Sequence, residues 1–465
     1  MSLTKVTPSM IDGLPWKTVE QFKAANDTLT VQAAFDSGVN LIFTKNYSVD
    51  SVKISGIGRT IDFAGYGLVG TRPLASAASQ YVLAITGTYL NIKDVNVSAD
   101  FKNYNCAIRW YSETTGTPAQ YNVIDGMRIY NAVVGLVYGQ EQGTASVNAP
   151  QSENTIYGFY SRAVQQPFVG NQQNGVVTLV APTLDCNPFE WASQAGYNAT
   201  TFNTAAVAIK NLVGYVMVLG GEILKTASQL GYGMYGGNLS VTNSFLEIAS
   251  SQMYVTHGNI SFSDIQSFNM SSDSVSGFVL DAAATGDMNF TNSSPSRADN
   301  VWSYSGAVMF RGTTTVAMRI HFSDCALSNW RKGFLASDLA IVVAAEVSNA
   351  ILSFLNTRFI NTNSSSVIVT NVLLPNTDSV GVTANAVASA TIIETNLQPK
   401  MFHVSGTDAI ETIEPPFTSF RGALTLIPDA AFTTTTADNI AIATTAVVGE
   451  ALTMTYDGVK WYPSY

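Results

Sequence analysis

Four short phrases in mid-chain each carry one acidic residue within an apolar–polar alternation. They are TLVAPTLDCN (178–187), MVLGGEILKT (217–226), SVTNSFLEIA (240–249) and SFSDIQSFNM (261–270). Aligned on their apolar positions, Asp185 and Glu247 share a column, Glu222 lies two residues off on the phrase between them, and Asp264 sits two places earlier still. Only 12% of residues are charged, about half the globular average, so this cluster stands out. Glycoside cleavage needs such a pair of carboxyls, one as acid and one as base or nucleophile, about 5–9.5 Å apart. The bland reading is a solvated residue or a backbone cap at a corner, which is commoner for any single position. Glu222 follows Gly220-Gly221 and is the first candidate catalyst, because paired glycines let another chain approach the backbone closely.

Sugar rings stack on aromatic faces, and the segments beside these acids supply them. DCNPFEWASQAGYNATTF (185–202) and KTASQLGYGMYGG (225–237) carry Trp191, Tyr197, Tyr232 and Tyr235, while SPSRADNVWSYSG (294–306) adds Arg297, Trp302 and Tyr304. Most aromatic residues are buried, but Gly-, Ser- and Asn-rich loops favour exposure, so Trp191, Tyr232, Tyr235 and Trp302 are expected to bind substrate. Arg297 is expected to contact an acidic sugar, a bidentate role suited to guanidinium. Glu190, beside Trp191, is a spare carboxylate. A lyase would instead need a base next to a uronate, with Arg or a cation nearby. His257 and Lys225 are the available participants, yet no cluster assembles around them, so hydrolysis is favoured.

What positions these residues is a repeat. GNLSVTNSFLEI (237–248) returns as GNISFSDIQSF (258–268) after 21 residues, and IKDVNV (92–97), IDGMRI (124–129) and IYGFYS (156–161) recur at 32. IHFSDCALSN (320–329) returns as LSFLNTRFIN (352–361), also at 32. Alternation with period 2 means strands with one buried face, and strands recurring every 20–30 residues with Gly, Asn and Ser at the corners predict a parallel β-helix solenoid. A β-sandwich array would give hairpin signals every 8–12 residues, and these are nearly absent before residue 400. No LxxLxLxxN consensus marks a leucine-rich repeat. Neighbouring coils, ~4.8 Å apart, would bring corner carboxyls to the separation that glycoside cleavage needs.

The ends read differently from the middle. TVQAAFDSG is a short amphipathic helix with Val31, Ala34 and Phe35 on one face, ended by Gly38, and it opens a cap over 28–71. After Pro415-Pro416, the phrases ALTLIP, NIAIATT and ALTMTYDGVKWY alternate, and Asp457-Gly458 is a two-residue hairpin signal. The expected organisation is a neck at 1–27, the cap at 28–71, a β-helix with groove loops at 72–402 and a small antiparallel β-domain at 408–465.

VQAAFDSGVNLIFTKNYSV, followed by spaced glycines, resembles the opening segment of the pectate-lyase-like β-helix in bacteriophage tailspikes. LTKVTPSMIDGLPWKTVEQF resembles the linker after their virion-anchoring domain. The resemblance implies an all-β, right-handed parallel β-helix, a homotrimer, and a tail protein made in the host cytoplasm. Its function would be to bind and depolymerise a bacterial capsular or O-antigen polysaccharide, with the C-terminal domain serving trimerisation or glycan binding. The anchor would belong to a longer spike or to another protein. The family has no fixed catalytic motif, so Asp185, Glu222 and Glu247 rest on this chain alone. A non-catalytic adhesin would use the same aromatics, while a purely structural solenoid would leave the aromatic loops unexplained.

The remaining composition narrows the partners. Net charge is −10 and pI about 4.8, which argues against a broad nucleic-acid surface. Cys106, Cys186 and Cys325 lie far apart without a CxxC, and three histidines are scattered, so no metal site or cofactor is expected and the cysteines are read as buried small hydrophobes. No apolar run reaches the ~18–20 residues of a membrane span, and MSLTKVTPSMIDG lacks a signal-peptide core, so a soluble chain is expected.

Overall fold

An alternating strand without a hairpin partner can satisfy its backbone only on the next coil, and this pairing organises the chain. The structure, a computed structural model, describes residues 15–72, 79–102, 104–113, 118–139, 153–194, 197–225, 231–248, 251–269, 278–280 and 285–297. It further describes 308–310, 318–328, 341–342, 351–355, 358–360, 367–368, 385–388, 392–394, 401–415 and 421–465. From Trp16–Thr18 to Val367–Ile368 the described strands form one all-parallel sheet, each strand paired with its counterparts one coil before and one coil after. The chain is a parallel β-helix.

The coil through Glu222 shows the plan. The latter half of Ile209–Leu219 lies on one face, Glu222–Lys225 on the next and the start of Tyr232–Thr242 on the third. That last strand then bends at Gly236–Gly237, where its register shifts, and opens the following coil. Only glycine fits at Gly236, with φ +111°, because an added Cβ would fall on the Asn211 carbonyl of the coil below.

Register follows the phrases read from the sequence. Ile61, Ile92, Ile124 and Ile156 stack in one fully buried column, at 31- and then 32-residue offsets. Leu239 pairs with Ile260 at 21, and Ile320 with Leu352 at 32. Phe262, Phe290 and Phe322 form a stacked aromatic column with centroids 5.3 and 4.7 Å apart. Each such side chain contributes roughly 1.5–3 kcal/mol on leaving water. Where the chain turns, buried Asn122 and Asn154 carry the corner: Asn122 Oδ1 accepts from Leu90 N, and Asn154 Oδ1 from Asn122 N.

A second ladder explains the Gly and Asn phrases. Just before the face that holds Asp185, successive coils turn at a left-handed residue: Asp94, Gly126, Gly158, Ala181, Gly220, Asn243, Asp264, Asn292 and Asp324, with Gly221 a second one beside Gly220. Glycine, asparagine and aspartate enter this region at least cost. Asp264 is thereby a corner residue. It accepts hydrogen bonds from Asn292 Nδ2 (2.6 Å) and Ser263 Oγ (2.8 Å), which hold its carboxyl below the ordinary range.

The cap helix spans Asp27–Asp36, with Asn26 as its N-cap and Val31, Ala34 and Phe35 buried. Trp16–Thr18, within the segment read as a neck, already pairs with Asn40–Ile42 as a first rung. At the far end, Gly422–Pro428, Leu452–Tyr456 and Trp461–Ser464 pair antiparallel, over a separate core around Trp461. Met401–Ser405 adds to that sheet in parallel. The hairpin at Asp457-Gly458 is wider than the two residues expected: Tyr456 faces Trp461, and Asp457 Oδ1 accepts from both Val459 N and Lys460 N. All three cysteines are buried and none is in a disulfide. Among the described residues no helix is long and apolar enough to cross a membrane.

The corner ladder makes a direct prediction. Asn243→Gly should leave the denaturation midpoint unchanged or raise it, whereas Asn243→Val should lower stability by about 1–2 kcal/mol. Equal midpoints for the two variants in urea unfolding would show that the left-handed corner carries no constraint.

Candidate functional site

The face after the corner ladder consists of Thr183–Asp185, Glu222–Lys225, Phe245–Ile248, Gln266–Asn269 and Ser294–Arg297. Alternation sends Leu184, Ile223, Leu246 and Ile248 inward, leaving Asp185, Glu222, Leu224 and Glu247 on the outer side. Asp185 pairs with Leu224 and Leu224 with Glu247, so the two acids share a column two coils apart, about 9.6 Å at the backbone. Glu222 pairs with Thr183 and Phe245, in the column two residues away.

The cleft that forms here has Asp185 in its wall. Tyr160, Arg162, Ala163, Asp185, Asn187 and Glu190 line an open volume of about 300 Å³. Glu222 and Glu247 are not among its lining residues. Glu190 reaches the cleft from the short 3-10 turn Phe189–Ser193 and pairs with Arg162 at 2.6 Å. The Asp185 backbone N–H donates to Ser161 Oγ, while its Oδ1 is buried with no hydrogen-bond partner. A buried acceptor left unpaired costs about 1–3 kcal/mol. Burial pushes the Asp185 carboxyl up to about 6; the Arg162 charge opposes this and the Glu247 charge adds to it. One carboxyl in this cleft therefore keeps its proton far above its usual range, while a second carboxylate in its column is close enough to act on it electrostatically.

Other predicted residues are placed differently. Trp191 is half-buried, its indole N–H donating to the Ala163 carbonyl at 2.8 Å and its ring packed edge-on to Phe101 (4.8 Å) and beside Phe202 (5.5 Å). It holds the Phe189–Ser193 turn against the coils instead of presenting an open face. Tyr232 and Tyr235 stand on the neighbouring face, gathered around Tyr254: Tyr235 and Tyr254 stack at 5.5 Å and 6°, and Tyr232 tilts against Tyr254 at 4.7 Å. The backbone of Arg297 ends the strand Ser294–Arg297, but its side chain, like all of Trp302, lies outside the described residues.

The glycine pair before Glu222 has a structural purpose. A Cβ at Gly221 would fall 2.1 Å from the Pro182 carbonyl, so the space belongs to the preceding coil. Lys225 points into the β-helix and is 1% exposed, its Nζ 3.4 Å from the Tyr232 carbonyl. Burial lowers its pKa to about 8. It faces the core, away from the cleft. His257 keeps its Nδ1 against Thr256 Oγ1.

Sequence reasoning missed Arg162 and Tyr160. Tyr160 pairs with Thr183 and Ser161 with Leu184, so continuing the register sets Arg162 beside Asp185. The phrase IYGFYS ends one residue before it, and extending the alignment by that residue would have exposed the pair.

No family model and no curated protein matches the sequence. Among solved structures the chain is similar to full-length tailspike protein 2 from Escherichia coli O157:H7 bacteriophage CAB120, at 10% identity over 64% of this chain, with a TM-score of 0.34. It spans 41% of that tailspike's length. It is also similar to the Agl-KA catalytic domain, at 10% identity over 77% of this chain and 67% of that one, with a TM-score of 0.38. A polygalacturonase from Erwinia carotovora ssp. carotovora is similar at 9% identity over 76% of this chain and 95% of that one, with a TM-score of 0.27. All three are parallel β-helix proteins.

The raised Asp185 carboxyl links the site to stability. The unfolded chain releases this proton near ~3.9, whereas the folded protein keeps it to about 6. Its contribution is therefore complete below about pH 4 and is lost as pH rises through about 6, by at most ~3 kcal/mol. Asp185→Asn should match the wild type near pH 4 and be more stable by about 1–3 kcal/mol at pH 7.5. Urea titrations at the two pH values check this, and a gap that does not change with pH would contradict the buried acid.

Proposed function

We propose that this protein is a phage tailspike depolymerase that cleaves a bacterial capsular or O-antigen polysaccharide within the chain, by glycoside hydrolysis. The observation that carries the reading is Asp185: a carboxyl raised to about 6, with one buried unpartnered oxygen, in a cleft on the outer face of the β-helix. It has the properties of a general acid, which must hold its proton at working pH until the leaving oxygen takes it. Glu247, on the same column, is the complementary base. The separation of about 9.6 Å between their backbones suits an inverting pair, whose carboxyls stand about 6.5–9.5 Å apart to admit a water. Asp185 protonates the glycosidic oxygen, Glu247 takes a proton from the attacking water, and the anomeric centre inverts. Glu222, exposed on the coil between them, is the alternative base. Hydrolysis is favoured over elimination because Lys225, one of the two bases considered for a lyase, is turned into the core.

The sequence resemblance extends the proposal to a homotrimer carried on the virion tail, with the antiparallel domain locking the subunits or binding glycan. Tyr232 and Tyr235 would then serve a longer substrate, or the packing between subunits, from the neighbouring face.

Purified protein spotted on lawns of capsulated strains should produce haloes without live phage. Asp185→Asn and Glu247→Gln should each reduce reducing-end release by at least ~100-fold while polymer binding persists. The alkaline limb of kcat/KM should fall near pH 6, where Asp185 loses its proton. Wild-type rates in both variants would place the chemistry elsewhere, with Glu222→Gln the next test.

A further inference from the structure

The cleft at Asp185 does not end there. A second open volume of about 440 Å³ adjoins it on the side of the N-terminal cap, and Arg162 and Glu190 line both. Asn46, Asn96, Ser98, Tyr130 and Asn131 continue its wall. The register Tyr47–Leu68–Val97–Ile129–Ser161–Leu184 carries one face through six successive coils, so the joined groove runs about 24 Å along the axis. Its lining comes from the early coils.

The chemistry of this wall is specific. Asn131 Oδ1 is buried without a hydrogen-bond partner, as is Asp185 Oδ1 further along the same groove. Buried oxygens of this kind call for a ligand that brings donors. Tyr130 and Tyr160 stand between them, ring centroids 6.1 Å apart and inclined at 55°, as flat surfaces for a ring to pack on. Among the described residues lining the two clefts, Arg162 is the sole cation, and Glu190 already neutralises it at 2.6 Å. An incoming carboxylate would bring no donor for these oxygens and would face the charges of Glu190 and Glu247, with the exposed Arg128, in the outward column of Asn96 and Tyr160, as a counter-charge toward the cap.

We infer that this groove is an extended subsite for an uncharged, hydroxyl-rich stretch of polysaccharide, running from Asp185 toward the cap and held by Asn131, Asn96, Tyr130 and Tyr160. The inference rests on the depolymerase reading for the nature of the polymer and adds its direction and its charge.

Asn131 offers a clean variant, because its backbone is left-handed at φ +54° and glycine suits that conformation. The Asp185→Asn protein would be applied to an array of purified bacterial capsular and O-antigen polysaccharides, half uncharged and half bearing uronate or phosphate. It should retain at least one uncharged polymer. Adding Asn131→Gly should weaken that binding tenfold or more without lowering the urea midpoint, since an unpartnered acceptor is removed from a relaxed corner. Tyr130→Leu should weaken binding comparably. Retention of charged polymers only, undiminished binding by both variants, or retention of none would overturn the inference. Array binding that responds to Asn131→Gly, combined with no cleavage by the wild type, would sink the catalytic reading and leave the groove standing.

Discussion

Every strand in this β-helix finds its backbone partners only on the coils above and below, and that requirement organises the rest of the molecule. Parallel pairing must hold its register even though the offset between coils varies, as between Leu239 and Ile260 at 21 residues and Ile320 and Leu352 at 32. Residues beyond those needed for three strands must therefore leave the ladder at a corner. The corner before the Asp185 face does not absorb them, because it closes on one or two left-handed residues in coil after coil. The insertion at 186–208 leaves on the other side of that face instead, and its turn at Phe189–Ser193 delivers Glu190 to the cleft.

The same constraint makes the candidate site rigid. Asp185 sits on a strand whose neighbours on both sides are fixed by hydrogen bonding, with Leu184 and Cys186 anchored in the core beside it. Its backbone is held at the partly dry position that raises the carboxyl's pKa, because the Asp185 N–H is tied to Ser161 and the Phe189–Ser193 turn is pinned by the Trp191 indole. A carboxylate on a free loop would relax into water and titrate normally. Preorganisation here is a property of the sheet.

Electrostatics along the groove follow from a chain poor in charge. Few ionisable groups are available, so the arrangement of three, Arg162, Glu190 and Asp185, sets the character of the cleft. The ion pair of the first two engages the cation beside Asp185, leaving tyrosine rings, amides and, below about pH 6, a protonated carboxyl to meet a ligand. A surface of this kind discriminates through hydroxyl geometry and ring packing, where a basic surface would select for charge.

The β-helix itself was legible in the amino-acid sequence. Period-2 alternation and recurring offsets are local and are repeated many times, so Ile92, Ile124 and Ile156 could be aligned from their phrases and were found in one column. The cap helix, the buried cysteines and the shared column of Asp185 and Glu247 came from the same kind of signal. What the sequence could not determine were the contacts between segments whose spacing obeys no period. Trp191 looked like a loop aromatic, but Phe101 and Phe202 give it a packing role; Gly221 looked like room for a sugar, but Pro182 already occupies that space. Lys225 reads as a charged residue beside an acid, and only the inward half of the alternation reveals that it is buried. Arg162 and Asn131 became visible through stacking alone, because a column of outward side chains acquires its neighbours only when coil lies upon coil. Periodicity specifies which residues share a face, and tertiary contact decides what that face meets.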